Sequence, residues 1–225
     1  MIPSQITKTS KEQWRNSFLN PGSTRNTMRR TTVARPMQRR ATSSIRVDEG
    51  LVLRPASKRY IPEIIEAFNE TWPDVMRAMP WINPDRDTKS QIENFILDTE
   101  RKGRAGLLHH WCMIRPWDGY VVGLLGFDRV TRSERAVWNL GYWVRSSEQR
   151  HGYARRSIEA SLHWLAQTGK ILVEVKVDPN NNPGLKTVEM ILKKWGGERC
   201  VSGDSAITVA GVRTLHHCHL IEIGA

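Results

Sequence analysis

Cysteine is scarce in this chain of 225 residues, with only Cys112, Cys200 and Cys218 present. They are far apart, odd in number and show no C-x-x-C spacing, which excludes a zinc ribbon and a disulfide-stapled secreted module. Long apolar runs are missing as well. No stretch approaches the roughly 18 residues of a membrane span, and the first residues lack the apolar centre of a secretory signal, so neither a membrane nor a secreted location is expected. Acids are nearly absent from the first 47 positions, where Glu12 stands alone against ten Lys and Arg. What remains is ordinary for a globular chain, with 39% hydrophobic and 25% charged residues, 16 Gly and 11 Pro. This length suffices for one domain, or one domain and a tail, to bury a core without metal or disulfide support.

The net charge of +11 is unevenly placed. Residues 1–47 carry +9, while residues 48–225 hold 24 basic against 22 acidic groups, or +2. The basic segment also holds 13 Ser or Thr and no sustained apolar period. It is expected to be a disordered tail, since it cannot bury enough surface to offset its ordering entropy, with 48–225 as the folded domain. Three readings of the tail stay open: a solvated extension, an organelle transit segment, or an arm that contacts ribosome or RNA phosphates.

Along the body, a first strand is read at Leu51–Arg54, stopped by Pro55. A helix follows over 61–79, with Ile61, Ile64, Ile65, Phe68 and Trp72 at helical spacing and Pro73 as a break. Thr88 and Gln91 form a capping-box pair opening a second helix that Gly103 ends. Strands at 107–114 and 120–130 are joined by Pro116-Trp117-Asp118-Gly119, a hairpin signal, and a third strand covers 136–145. A helix at 157–168, a strand at 171–178, a helix at 185–195 and a strand at 214–223 complete the order. Two helices, a meander and then alternating strands and helices predict one α/β domain with a mixed sheet.

The chemistry sits in Gly141-Tyr142-Trp143-Val144-Arg145-Ser146-Ser147-Glu148-Gln149-Arg150-His151-Gly152-Tyr153-Ala154-Arg155-Arg156: a strand, a turn and a helix start. A helix N-terminus carries unpaired amides and about half a positive charge. Arg150, His151, Arg155 and Arg156 add like charge there, which makes sense if an anion such as a phosphate sits on the turn. Gly152 removes a Cβ where backbone would approach it. The plain alternative is an exposed basic helix start.

Gln149-Arg150-His151-Gly152-Tyr153-Ala154 resembles the Q/R-x-x-G-x-G/A signature of the GCN5-related N-acetyltransferases (GNAT). Asn139-Leu140-Gly141-Tyr142-Trp143-Val144-Arg145, Met79-Pro80-Trp81 and Val177-Asp178-Pro179-Asn180-Asn181 look like the RimJ/RimL branch, which includes enzymes acetylating the N-termini of ribosomal proteins. The resemblance spans 51–223. It implies a GNAT fold: a mostly antiparallel mixed sheet splayed at two central parallel strands, 136–145 and 171–178, with helices on both faces. It implies acetyl-CoA as cosubstrate and no metal. The backbone of Trp143 and Val144 would meet the pantetheine, the amides of Gln149, Arg150, His151, Gly152, Tyr153, Ala154 and Arg155 would hold the phosphates, and Asn181 would complete the cofactor site.

The catalytic positions depart from the branch. Asn139 stands where many relatives carry Glu, and Asn181-Asn182-Pro183-Gly184 lacks the Ser of Asn-x-x-Ser. Tyr142, Tyr153, Glu134 and Glu148 are the remaining candidates for proton transfer. The strand motif His216-His217-Cys218-His219 places two potential ligands on each face, too few for a zinc site. The expected activity is an acetyl-CoA-dependent N-acetyltransferase acting on a primary amine, either a protein N-terminus or a small amine, by direct attack. The alternative is a catalytically weak acyl-CoA-binding regulatory module on the same fold. The expected partners are acetyl-CoA, an amine acceptor and, through the tail, ribosome or RNA, without membrane association. A monomer or dimer is expected, in the cytoplasm, or in an organelle if the tail is a transit segment.

Overall fold

A computed structural model describes residues 39–132, 135–209 and 211–224. The chain divides into two units, Met1–Met37 and Gln38–Ala225, of which the first lies outside the described residues. The second unit contains β1 (Ile45–Asp48), β2 (Leu51–Pro55), α1 (Ile61–Thr71), α2 (Thr88–Arg104), β3 (Leu108–Ile114), β4 (Val121–Arg132) and β5 (Arg135–Val144). It continues through α3 (Tyr153–Ala166), β6 (Ile171–Val177), α4 (Asn182–Trp195), β7 (Glu198–Arg199), β8 (Ser205–Val209) and β9 (Val212–Ile223).

The strands form one sheet in the order β1-β2-β3-β4-β5-β6-β9-β7, with β8 paired to β9. β3, β4 and β5 pair antiparallel in chain order. The β5–β6 connection is a helical crossover, so this pair is parallel, as geometry requires. The mixed, mostly antiparallel sheet with helices on both faces is the architecture expected from the sequence.

Side-chain alternation divides the sheet. On one face Cys112, Leu124 and Trp143 pack with Ile64 and Phe68 of α1 and Ile92 and Ile96 of α2. On the other, His109, Trp111 and Trp138 gather around Trp164 of α3, with ring centroids 4.8 Å apart for His109–Trp164 and 5.3 Å for Trp111–Trp164. Trp111 is fully buried, so this aromatic layer is core.

Several sequence expectations change. The first helix, expected to reach 79, ends at Thr71 ahead of Pro73, the helix expected from 185 begins at Asn182, and β1, β7 and β8 are strands the sequence did not announce. The cap of α2 is Asp87, whose carboxylate accepts the Ser90 amide at 2.9 Å, and not Thr88. Gln91 is instead exchanged with the backbone of Asn83, at 2.9 Å in each direction, which fastens the preceding loop onto the helix. Helix α3 begins at Tyr153, four residues before the expected start, because Gly152 can adopt the left-handed conformation that ends the turn. The boundary between tail and domain expected at 47 and 48 moves toward the N-terminus. β1 pairs with β2, and Ser43 accepts both the Trp111 indole N–H (2.8 Å, backbone O) and the Trp164 indole N–H (2.9 Å, Oγ). Thr42 Oγ1 lies 2.9 Å from His109 Nδ1, and Arg40 stacks 4.3 Å above the Trp164 ring.

Candidate active site

The parallel pairing of β5 with β6 is short. It runs from Val137–Leu172 to Leu140–Val175 and stops, although β5 continues to Val144 and β6 to Val177. Beyond Leu140 the two strands part, so the β6-facing edge of residues 141–144 has no ladder partner from β6. An edge of free amides and carbonyls inside a sheet demands a hydrogen-bonding occupant. Val144 turns its backbone to that edge, where the resemblance placed the pantetheine, whereas Trp143, one step off in the alternation, turns its amide and carbonyl toward β4, as Arg145 does in giving its N–H to Val122 O. The Val144 carbonyl accepts the Gln149 side-chain amide at 3.2 Å.

The same strand leads into the turn before α3. Arg150 (φ 65°) and Gly152 (φ 74°) are both left-handed, and turns that mix left- and right-handed residues aim successive amides at a common point. Helix α3 has neither a capping side chain nor an acid in its first turn, whereas α2 and α4 are capped by Asp87 and Asn181. Its first amides therefore lack intrahelical partners and need an external acceptor. A Cβ built on Gly152 would meet no atom within 4 Å, so the turn faces open space.

The basic residues there do not all serve an anion. Arg156 Nη1 is 2.5 Å from Asp48 Oδ2 and Arg155 Nη1 is 3.3 Å from Glu159 Oε1. Arg150 and His151 are exposed and enter no ion pair among the described residues. The charge available to a ligand is about half of what the sequence alone implies.

Residues distant in sequence hold the turn. Arg145 is buried, with Nη2 2.8 Å from Glu66 Oε1, Nε 2.7 Å from Glu70 Oε2, and its guanidinium 4.2 Å from the Tyr120 ring centroid. Glu70 Oε1 also accepts the Ser147 amide at 2.8 Å, and Thr71 Oγ1 accepts the Ser146 amide at 3.2 Å. Burial pushes the Glu70 carboxyl up, but the Ser147 hydrogen bond and the Arg145 charge outweigh it and hold the group below its ordinary range. Glu70 in the last turn of α1, with Glu66 one turn before it, opposes the helix dipole, the one sequence signal that a cation sits there; nothing local points to Arg145.

The proton-transfer candidates scatter. Tyr142 lies on the α3/α4 face, hydrogen-bonded to Thr187, and burial pushes its hydroxyl up to about 12. It stays protonated at neutral pH, so it can give up a proton but not take one. Tyr153 packs its ring under Arg156, 5.0 Å away, as the first residue of α3. Glu148 Oε1 is held by Arg115 Nη1 at 2.8 Å, and Glu134 lies outside the described residues. Asn181 caps α4, its Oδ1 accepting the Gly184 amide at 3.0 Å. Ala154 follows Tyr153 in the first turn of α3. In the histidine-rich strand, His217 and His219 pair with Val177 and Val175, whereas Cys218 pairs with Lys176 and His216 with Ser205 on the opposite face.

A sheet parted between two parallel strands, opening onto an uncapped helix start, offers a site for an anionic ligand with a long hydrogen-bonding arm, as an acyl-CoA-dependent transferase needs. The profile of the family described as "Acetyltransferase (GNAT) domain" matches residues 50–191. The chain belongs to the GNAT acetyltransferases. It is 23% identical over 150 residues to the ribosomal-protein-serine acetyltransferase of Escherichia coli K12, covering 63% of this chain and 79% of that protein. The fold resembles the acetyltransferase of Salmonella typhimurium that modifies the N-terminal serine of ribosomal protein L7/L12 (TM-score 0.62, 17% identity, 80% of this chain and 99% of the other). It also resembles the microcin C7 self-immunity acetyltransferase in complex with acetyl-CoA and AMP (TM-score 0.64, 16% identity, 79% of this chain and 94% of the other).

Proposed function

We propose that the protein transfers the acetyl group of acetyl-CoA to a primary amine, with the N-terminal amine of a ribosomal protein as the leading acceptor. The observation that carries this is the parting of β5 from β6 directly before the left-handed Gly152 turn. A thioester with a long hydrogen-bonding arm and a pyrophosphate matches that sequence of features: a free strand edge for the amides of the arm, then helix amides for the phosphates. The backbone of Val144, with the edge beside it, would hold the arm, and the amides of Gln149 to Arg155 the phosphates, with Arg150 and His151 at the mouth. When bound, acetyl-CoA supplies the activated acyl carbon; the chain's own task is to orient an amine beside it and move its protons.

The ribosomal acceptor rests on the names of the relatives. The basic segment 1–47 suits an anionic assembly such as the ribosome, since Lys and Arg release counterions from phosphates, and a cytoplasmic location goes with that reading. The direct test offers acetyl-CoA with peptides beginning in Ser or Ala, a polyamine and free amino acids, following free thiol and acetylated product. Turnover with at least one amine is expected. Tight acetyl-CoA binding with no thiol release from any acceptor favours the regulatory module instead.

A further inference from the structure

On the face of the sheet that carries α1 and α2, two glycines stand side by side where the strands begin to part. Gly126 of β4 is registered opposite Gly141 of β5, and Gly141 is the first residue of β5 beyond its last pair with β6, Leu140–Val175. The two differ in what lies above them. A Cβ on Gly126 would collide with the His110 ring, whereas one on Gly141 would meet no atom within 4 Å. Gly126 thus lets the imidazole come down onto the strand, and the space beside it, over Gly141, is open.

The rim of this opening has the chemistry to meet a cation. His110 Nε2 lies 3.2 Å from Asp128 Oδ1; a carboxylate only accepts, so the Nε2–H donates and fixes the acid. Asp128 is registered opposite Asn139, which puts it diagonal to Gly141, about 7–8 Å away between Cα atoms. Its side chain is 40% exposed against 11% for His110, so a held imidazole backs an acid that still faces solvent. Beside His110 runs an aromatic wall: the Phe95 ring of α2 is 5.5 Å from the imidazole, and the Trp81 ring is 4.6 Å from Phe95. A carboxylate next to aromatic faces favours positive charge on both counts.

We propose that Asp128, held by His110, sets acceptor specificity: it selects amines that carry a second positive charge and turns away acidic ones. This deepens the transferase reading above and rests on it. With the reacting nitrogen over Gly141, a second cationic group about 7 Å away reaches Asp128. The Lys or Arg side chain next to a peptide N-terminus spans that distance, and so does the far ammonium of a diamine. An acidic side chain in the same place is set against the Asp128 carboxylate, and such like-charge contacts suppress the wrong partner. Farther along this face, Glu174 and Lys176 of β6 lie 3.9 Å apart with side chains 2% and 5% exposed. They form a buried neutral pair that gives the opening no net charge.

The test uses the full chain with acetyl-CoA and three peptides that begin with Ser and carry Lys, Ala or Glu at the second position. A diamine and the monoamine of equal length complete the panel. Wild-type kcat/KM is expected to fall in the order Lys, Ala, Glu, with at least about tenfold between the ends. A diamine that outpaces its monoamine while the peptides stay level points to a small acceptor, and the reverse to a protein; either preference supports the proposal. No turnover with any amine overturns the transferase reading and the specificity together. Turnover without a charge preference in either set overturns the specificity alone. D128N keeps an acceptor for the His110 N–H and should shrink the preference to about twofold, while D128K should invert it. In both, the acetyl-CoA dissociation constant by calorimetry should stay within about twofold of wild type. A preference that persists in both variants overturns the role of Asp128. Gly141→Ala tests where the reacting amine sits. Its added Cβ meets no protein atom, so the melting temperature should match wild type while kcat/KM falls several-fold with every amine. Unchanged kinetics would place the amine elsewhere and overturn the proposal.

Discussion

Gly152 and His109 show how one residue can be set by a ligand in one case and by the core in the other. Gly152 is left-handed, opens on free space and precedes unpartnered helix amides. Gly152→Glu places bulk and negative charge against the proposed phosphate position, in a conformation that costs an L-residue about 1–2 kcal/mol. The expected result is loss of about 3 kcal/mol or more of acetyl-CoA binding, read by calorimetry, with circular dichroism unchanged. A folded variant with wild-type affinity would remove the phosphates from this turn. His109 is buried among three tryptophans and bonded to Thr42. Burial, then the neighbouring His110 and Arg40 charges, lower its pKa from 6.5 to about 4. The unfolded chain therefore binds the proton first as pH falls. Stability from the neutral ring is full above 6.5 and is lost between 6.5 and about 4, up to about 3 kcal/mol. Urea midpoints measured across that window should fall for wild type and fall distinctly less for His109→Gln; equal slopes would contradict the assignment.

At the scale of elements, the turn before α3 is tied down from the other side of the sheet. The C-terminal turn of α1 holds the amides of Ser146 and Ser147 and the buried Arg145, while Arg115 of the β3–β4 hairpin holds Glu148. Removing one partner of a buried ion strands the other, which makes Glu70 more consequential than Glu66, whose side chain is 67% exposed. Glu70→Gln keeps an acceptor for Ser147 but removes the charge facing Arg145. A several-fold weaker acetyl-CoA affinity is expected, with kcat at saturating acetyl-CoA close to wild type; Glu66→Gln should leave both nearly unchanged. An unaltered KM for acetyl-CoA in Glu70→Gln would show that α1 does not set the turn. The cap of α2 is a simpler case: Asp87→Ala should cost about 1 kcal/mol in urea unfolding and leave cofactor affinity alone. The sequence alone places this helix start one residue late, because Asp87 and Thr88 are both capping residue types and only the Ser90 bond to Asp87 distinguishes them.

For the whole molecule, the domain needs more of the N-terminal segment than its charge pattern suggests. Arg40, Thr42 and Ser43 close the aromatic layer of β3 and α3, and Ser43 satisfies two buried indole donors. Leaving such donors without acceptors costs about 1–3 kcal/mol each. A chain beginning at Gln38 is expected to melt like the full-length protein, and one beginning at Ile45 to melt several degrees lower. Equal melting temperatures for all three would show that residues 39–44 add nothing to the fold.

The sequence by itself determined the order of the central elements from β2 to β6, the mixed sheet and the strand–turn–helix stretch that leads into α3, but not β1, β7 or β8. Periodicity and turn residues act locally, and the strand–turn–helix stretch from Gly141 to Arg156 carries its chemistry in contiguous residues. Its pattern was legible without any long-range information. Tertiary structure alone decided which charges near that turn are free, since Asp48 pairs with Arg156 across 108 positions and Glu66 with Arg145 across 79. It also decided the register of β5 on β6. Register between parallel strands is set by how the crossover helix packs, so no local signal could bring Asn139 and Glu174, 35 positions apart, to the same height on one face.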